Sequence, residues 1–508
     1  MSQAASLDST INLLGPFDSL RTYMAALEAY GGVLRIPEID QDAYEATALM
    51  YRLIDKYGWT GAPAVIFDRI KIDGEWMNGP VIANQYGRWN TEAIALGIAT
   101  ITDDQPAMYR AAVEKVIAMA NKDGQWKTIE PVEINRDRAP CKEVILTGDE
   151  IDLLEFPWLQ SNPADAGRYI NTGNVITYDP QYGRNSGTYR CQLKGPRKIG
   201  VNPEINQHGW TFLMDMKERG EPFARVAIVI GADPVTYAMG SSKTARLGQD
   251  ELAIAGGFMG RPLEVVKCET SELLVPANVE MVIEGEIPFD MEEEGPFGEM
   301  YGYMGQKKSE NFYLNVTAVT HRENPWFVNQ FTGVTRGYLT SPMEATANLT
   351  FKKVIPNLVG IHVPVEITGF AFLSIDKQKP GEAFEAAEPL TKFLNIAKII
   401  VVVDKDVDIL NVEEVMHAVG ARWQPHPATR IIEQSSAMRL DPSIRAEQKS
   451  ELKVIGSKII IDATRQLPDE GGPAVYPPLN RACLLEKFPD VFDRIDRKLP
   501  EYLKSWEI

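Results

Sequence analysis

The sequence is short of positive charge. Lys and Arg together number 52 against 70 Asp and Glu, a formal net charge of −18. Nucleic-acid binding needs a basic face to neutralise phosphates, and an anionic membrane surface also attracts cations. No nucleic acid and no membrane is expected as a partner, and an anionic ligand would need local cations that overcome the global field. Cysteine is scarce, with Cys141, Cys191, Cys268 and Cys483 the four present. None are spaced as CxxC, which excludes zinc ribbons and thioredoxin-like motifs. Scattered cysteines in a long chain fit a reducing compartment. Long apolar runs are missing: Ile399 to Val403 is far too short to cross a bilayer. The opening MSQAASLDSTINLL has neither a basic region nor an apolar stretch, so no secretory signal is read and a cytoplasmic location is expected. There is no GxGxxG, no P-loop, no HExxH and no GxSxG.

What is present is an ordinary globular composition, 44% hydrophobic and 24% charged over 508 residues. That length predicts two or three domains with sizeable cores of their own. The first segment, 1–125, reads as mixed α/β. A helical stripe is expected over 41–55, carried by Tyr44, Ala48, Tyr51 and Ile54. A second helix should start near Pro106, with Met108, Ala112, Val116 and Met119 on one face. TGAPAVIF and GPVIA read as buried strands. From 126 to 335 short β-rich runs recur between turn signals: EVILT, NVITYDP, RVAIVIGA, LEVVKCET, VEMVIEGEI and YLNVTAVTHR. They predict a β-barrel or sandwich. From 336 to 508 the texture is again α/β. KIIVVVD and SKIIIDAT read as strands, VEEVMHAVGAR as a helix, and FPDVFDRIDRKLPEYLKSWEI as an amphipathic tail that must bury its apolar side on its own body or on a neighbouring subunit.

Asp404, Asp406 and Asp408 imitate the start of a calcium loop. Ile409 stands where the sharp turn needs glycine, and Val415 where the last ligand needs glutamate, so an acidic turn is expected. The informative segment is Glu294-Gly-Pro-Phe-Gly-Glu299. It holds two carboxylates on a turn stiffened by proline and freed by glycines. By composition it reads as a solvated acidic loop, since Glu292 and Glu293 precede it. A rigid pair of acids also suits proton transfer.

EGPFGEM followed by YGYMG resembles the signature of the UbiD family, and RPLEVVKCETSELLVPANVEMVIEGEI just upstream fits the same family. Asn185-Ser-Gly-Thr-Tyr-Arg190 is similar to its cofactor strand. Gln207-His208, Gly240-Ser241-Ser242 and Glu251 follow at matching spacing, and SKIIIDATRQLPDEGGPAVYPP is again family-like. The resemblance runs from about 130 to 480. It implies an N-terminal α/β domain, a central flavin-binding split β-barrel and a C-terminal α/β oligomerisation domain. It implies prenylated FMN as cofactor, held by a divalent ion, Mn2+ or similar, on Asn185, His208 and Glu251. A monovalent ion, K+, is implied at Ser186, Gly240, Ser241 and Lys243, and a phosphate-side lysine at Lys392. Gly187, Thr188, Tyr189, Gln207 and Ser242 are implied to border the cofactor.

The resemblance makes Arg190, Glu294 and Glu299 the catalytic set. Loss of CO2 from an sp2 carbon leaves a carbanion with no adjacent electron sink, which ordinary side chains cannot stabilise. The family's cofactor supplies that sink through a covalent adduct. Arg190 would orient the substrate carboxylate and bond Glu294, and Glu299 would be the proton donor, kept neutral by burial or by Glu294. A flavin prenyltransferase as cofactor supplier and a homodimer or homohexamer are implied too. Tyr189 and Trp423 depart from the pattern and point to an aromatic or heteroaromatic acid. Two other readings stand beside this one: a conventional FMN-dependent oxidoreductase on the same barrel, which would consume NAD(P)H without releasing CO2, and a non-catalytic subunit, which should have lost some of the six key residues.

Overall fold

A computed structural model describes residues 13–205, 207–449 and 453–504. The first twelve residues, on which the expectation about a secretory signal rests, and 505–508 of the tail lie outside that range.

The helix expected at 41–55 forms as Glu45–Tyr57, but its buried face differs from the expected one. Ala46, Met50 and Leu53 face the core, while Tyr51 is 47% exposed. A helix carrying both sets of apolar residues has two candidate stripes, and the neighbouring sheet chose between them. The second helix, Gln105–Met119, has proline in its first turn and an Asp104 cap, and buries Met108, Ala112 and Val116 as expected. Strands Val33–Asp40, Ala64–Ile72 and Glu75–Ala83 make the first sheet. Its fourth strand, Phe327–Val328, comes from much later in the chain and runs parallel to Glu75–Ala83.

The six β-rich runs all become strands. Five of them join a ten-stranded antiparallel sheet, and LEVVKCET pairs separately in a three-stranded one. The ten-stranded sheet is organised round the long strand Lys308–His321. One half of that strand pairs with Lys198–Asn202 and Met291–Glu294, the other with Met281–Ile287 and Val144–Thr147. Gly183–Thr188 lies at one end of the sheet's strand order and Arg190–Gly195 is second from the other end, with five strands between them. Yet only Tyr189 separates the two in the chain. A single residue spans about 3.3–3.6 Å, so the sheet must curl until its edges meet at Tyr189. The result is a half-barrel.

In the last third, Phe370–Ile375, Ile399–Asp404 and Ile455–Asp462 run parallel in the middle of a five-stranded sheet, with Leu358–His362 and Thr429–Ser436 antiparallel at the edges. Ile400 and Val402 pack towards the helix Glu382–Phe393, Val401 and Val403 towards the helix Val412–Arg422. A strand covered on both faces reads as a continuous apolar run, which is why KIIVVVD does not alternate. The acidic turn after it is paired with arginines: Arg422 with Asp404 and Asp406, each at 2.9 Å, and Arg110 with Asp408 at 2.8 Å. The tail forms three short helices, Asn480–Lys487, Val491–Asp496 and Leu499–Leu503, with no residue of them buried. No helix among the described residues is long and apolar enough to cross a membrane.

Candidate active site

The curl brings two groups of side chains to the seam at Tyr189. On one side lies a cavity of about 210 Å³ lined by Asn185, Ser186, Gly187, Thr188, Tyr189, Gln207, His208, Gly240, Ser241, Lys243 and Glu251, with Met239 and Ala245. Asn185 sits inside a strand, whereas His208 and Glu251 each begin a helix. Asp250 caps the second of these helices by accepting the Leu252 amide, which places Glu251 in the first turn. His208 Nδ1 lies 3.8 Å from Glu251 Oε1, and Glu251 Oε2 accepts the Ser186 amide at 2.9 Å. Asn185 Nδ2 and Ser186 Oγ are buried with no hydrogen-bond partner. Unpaired buried polar atoms are costly, and here they line a cavity beside an imidazole and a carboxylate. Amide, imidazole and carboxylate together suit a moderately hard divalent ion. Among the described residues no three or more His, Cys, Asp or Glu gather as a metal site, and this trio depends on the amide of Asn185.

Two glycines shape the cavity. A Cβ on Gly187 would meet Tyr189 Oη at 2.2 Å, and one on Gly240 would meet Asn174 Nδ2 at 2.2 Å and Ser186 Oγ at 3.2 Å. Tyr189 is itself fixed, its Oη accepting the Gly209 amide at 3.0 Å. Lys243 lines the cavity in the left-handed region, φ 51°, and burial pushes its ammonium down.

One residue beyond Tyr189 lies the second group. Arg190 gives Nε to Glu294 Oε1 at 2.9 Å and Nη2 to Glu294 Oε2 at 2.7 Å, and its Nη1 bonds Glu299. The Phe297 ring lies 5.4 Å from the guanidinium carbon. Glu294 and Glu299 are 1% and 8% exposed, so the segment is not a solvated loop. Gly298 donates to Asp165 and Gly295 to Gln192, and Gly295 takes the left-handed φ of 80° that the turn requires. Burial works against the charge on Arg190, but Glu299 and Glu294 outweigh it and raise the guanidinium above its ordinary value. Burial raises Glu299 above the usual carboxylate range despite the opposing pull of Arg190.

Three expectations are corrected. Ser242 does not face the cavity: its Oγ donates to Ala238 O at 2.6 Å, turned into the helix that precedes it. Lys392 is not brought to this site. It lies on Glu382–Phe393, 65% exposed, and pairs with Glu388 one helical turn away at 2.9 Å. Trp423, read as a substrate-side aromatic, instead packs on the C-terminal sheet and donates to Ala428 O and Thr429 Oγ1. Sequence reading missed Tyr169, whose hydroxyl donates to Glu294 Oε1 at 3.2 Å, and the trio Asn202, Glu204 and Lys308 beside Arg190. The strand register carries them: Asn202 opposes Arg190, and Lys308 opposes Glu294. No local spacing signals such pairs.

The chain matches the domains of a known class of carboxy-lyases. The model of the 3-octaprenyl-4-hydroxybenzoate carboxy-lyase Rift-related domain matches residues 132–335, and that of the corresponding C-terminal domain matches 338–463. The chain belongs to the UbiD family. It is 29% identical over 506 residues to the phenolic acid decarboxylase of Sedimentibacter hydroxybenzoicus, covering 96% of this chain and 98% of that one. It resembles the solved vanillic acid decarboxylase of the same organism in its open form, with TM-score 0.77, 28% identity, and 96% and 99% coverage. It also resembles the UbiD-class enzyme HmfF of Pelotomaculum thermopropionicum in complex with FMN, with TM-score 0.73, 30% identity, and 92% and 100% coverage. An evolved dimeric form of that enzyme was solved with prFMN, at TM-score 0.72, 29% identity, and 93% and 99% coverage.

Proposed function

We propose that this protein is a carboxy-lyase that reversibly removes CO2, without oxidation, from an aromatic or heteroaromatic (or α,β-unsaturated) carboxylic acid. The observation that carries this reading is the buried Arg190–Glu294–Glu299 cluster joined through Tyr189 to the Asn185, His208 and Glu251 cavity. We assign prenylated FMN as cofactor; Asn185, His208 and Glu251 would hold a divalent ion, Mn2+ or similar, that tethers it, and Ser186, Gly240, Ser241 and Lys243 would hold K+. The unpaired Asn185 and Ser186 side chains and the cradles at Gly187 and Gly240 fit such a group. When bound, it supplies a covalent electron sink for the carbon that loses CO2.

The chain's own residues do the rest. Arg190 is held charged and orients the substrate carboxylate with guanidinium N–H groups. Glu294 fixes that guanidinium by its bidentate grip. Glu299, buried and raised, keeps a proton on its carboxyl and delivers it to the carbon that CO2 vacates. In the carboxylation direction it takes the proton back. The enzyme would act in the cytoplasm as a homodimer or homohexamer, with a flavin prenyltransferase supplying the cofactor. Residues 1–125, 126–335 and 336–508 would form its N-terminal, cofactor and oligomerisation domains.

The test is co-expression with a flavin prenyltransferase, a flavin spectrum, and a panel of aromatic acids assayed for exchange of labelled CO2. Exchange is expected in the wild type and lost in Glu299→Gln with the spectrum retained. Oxidation of NAD(P)H without CO2 release, or full exchange in Glu299→Gln, would overturn the reading. The relatedness to the phenolic acid and vanillic acid decarboxylases favours aromatic acids within the panel.

A further inference from the structure

We infer that Glu204 is a positioning residue for Glu299: a third carboxylate, clamped by Lys308 and Asn202, that shares Arg190 and leaves the cluster's proton on Glu299. This rests on the decarboxylase reading only for its catalytic meaning. The geometry stands by itself.

Asn202 and Lys308 arrive from two different strands, opposite Arg190 and opposite Glu294. They converge on Glu204. Lys308 Nζ bonds both Asn202 Oδ1, at 2.8 Å, and Glu204 Oε1, and Asn202 Nδ2 donates to the same Glu204 oxygen at 3.2 Å. The Glu204 amide donates to Gln207 Oε1 at 2.7 Å, which ties this clamp to the turn leading into His208.

The charges then fail to balance. Two cations, Arg190 and Lys308, face three carboxyls, Glu204, Glu294 and Glu299. In a water-poor site one excess anion is relieved by one proton. Hydrogen bonds decide where it sits. Glu294 has two parallel bonds from Arg190 and one from the Tyr169 hydroxyl. Glu204 has Lys308 and Asn202. Glu299 has a single bond, from Arg190 Nη1, among the described residues. Asp165, the next acid along, is also raised by burial, but it accepts the amides of Asn162 and Gly298, at 2.9 Å each, against the single bond of Glu299. Glu299 is the least satisfied anion and therefore takes the proton. The electrostatics agree: burial raises Glu204, but Lys308 and Arg190 outweigh it and hold it below the usual range, and Glu204 in turn pushes Glu299 up.

The experiment is a pH titration of carboxylic-acid bands by infrared difference spectroscopy on the cofactor-free chain, with the Glu299 band identified by its loss in Glu299→Gln. Glu204→Gln keeps the volume and the acceptor oxygen but removes the charge. The Glu299 band should then titrate at lower pH, and in the loaded enzyme the alkaline limb of the pH–rate profile should move down with it while the flavin spectrum stays unchanged. A Glu299 midpoint that does not move in Glu204→Gln would overturn the proposal. If Glu204→Gln does not fold, Lys308→Met decides: removing one cation should add one protonated carboxyl at neutral pH, and no added band refutes the charge balance. A wild type without CO2 exchange would sink the decarboxylase reading and leave the infrared result intact.

Discussion

Arg190 and Glu294 meet through two parallel hydrogen bonds, with side chains 9% and 0% exposed. Such a fork fixes both position and rotation of the guanidinium. Nε and Nη2 bond Glu294, which leaves Nη1, bonded to Glu299, as the nitrogen outside that bidentate grip. On the proposed reading, a substrate carboxylate at Nη1 would compete with the one hydrogen bond that Glu299 receives among the described residues.

Glu299 carries a stability signature. Its carboxyl is raised in the fold, chiefly by burial, so the native state holds a proton that the unfolded chain releases at ordinary glutamate values, about 4.3. Its contribution is favourable below that value, is lost as pH rises towards the folded value, and stays lost above it. Glu299→Gln should therefore melt at a higher temperature than wild type at neutral pH, with the difference closing as the pH falls to about 4. Calorimetry across pH checks this.

The proposed ion site is open to direct measurement. His208→Ala and Glu251→Ala should each lower Mn2+ affinity by more than tenfold, since even outer-shell partners of a metal cost about 10–100-fold. Calorimetric or paramagnetic titration of the purified protein with Mn2+ alone reads this. Undiminished affinity in both variants would remove the metal assignment.

Gly240→Ala places a methyl 2.2 Å from Asn174 Nδ2, which is itself tied to Thr188 Oγ1 at 3.0 Å. Overpacking of this kind costs about 1–3 kcal/mol. A lower midpoint in denaturant, with weaker flavin retention, is the expected outcome.

Far from the site, Glu92 is fully buried and accepts bonds from Arg336, the Thr340 amide at 2.7 Å and Ser341 Oγ at 2.6 Å. It joins the first segment to the start of the last. Arg336→Met strands that carboxylate, and breaking a buried pair from one side costs about 3–5 kcal/mol. Chemical denaturation should show a loss of that size or no folded protein.

Lys392→Ala should leave flavin content and exchange rate within assay error, because an exposed pair one helical turn apart is worth about 0.3–0.5 kcal/mol. A large loss of flavin would restore Lys392 as a phosphate ligand.

Much of this was legible in the sequence. The β-rich runs became strands because alternating or fully apolar segments between turn residues have few other ways to bury themselves. Pro106 and the run before Arg422 marked their helices because caps and periodicity act within a few residues. The spacing of Asn185, Arg190, His208, Glu251, Glu294 and Glu299 marked a family whose architecture the structure repeats. The misreadings have a common origin. Tyr51 and Met50 are equally plausible faces for one helix until a sheet lies against it, and counting along a variable stretch could not place Lys392 in space.

By itself, then, the sequence determined most of the element types and the motif that names the candidate groups, because these depend on neighbours within a turn or two of chain. Only the tertiary structure decided which acid is least satisfied. That depends on the curl that closes at Tyr189 and on the register that sets Asn202 against Arg190 and Lys308 against Glu294. Charges act through space, and residues a hundred positions apart become neighbours only when the strands pair.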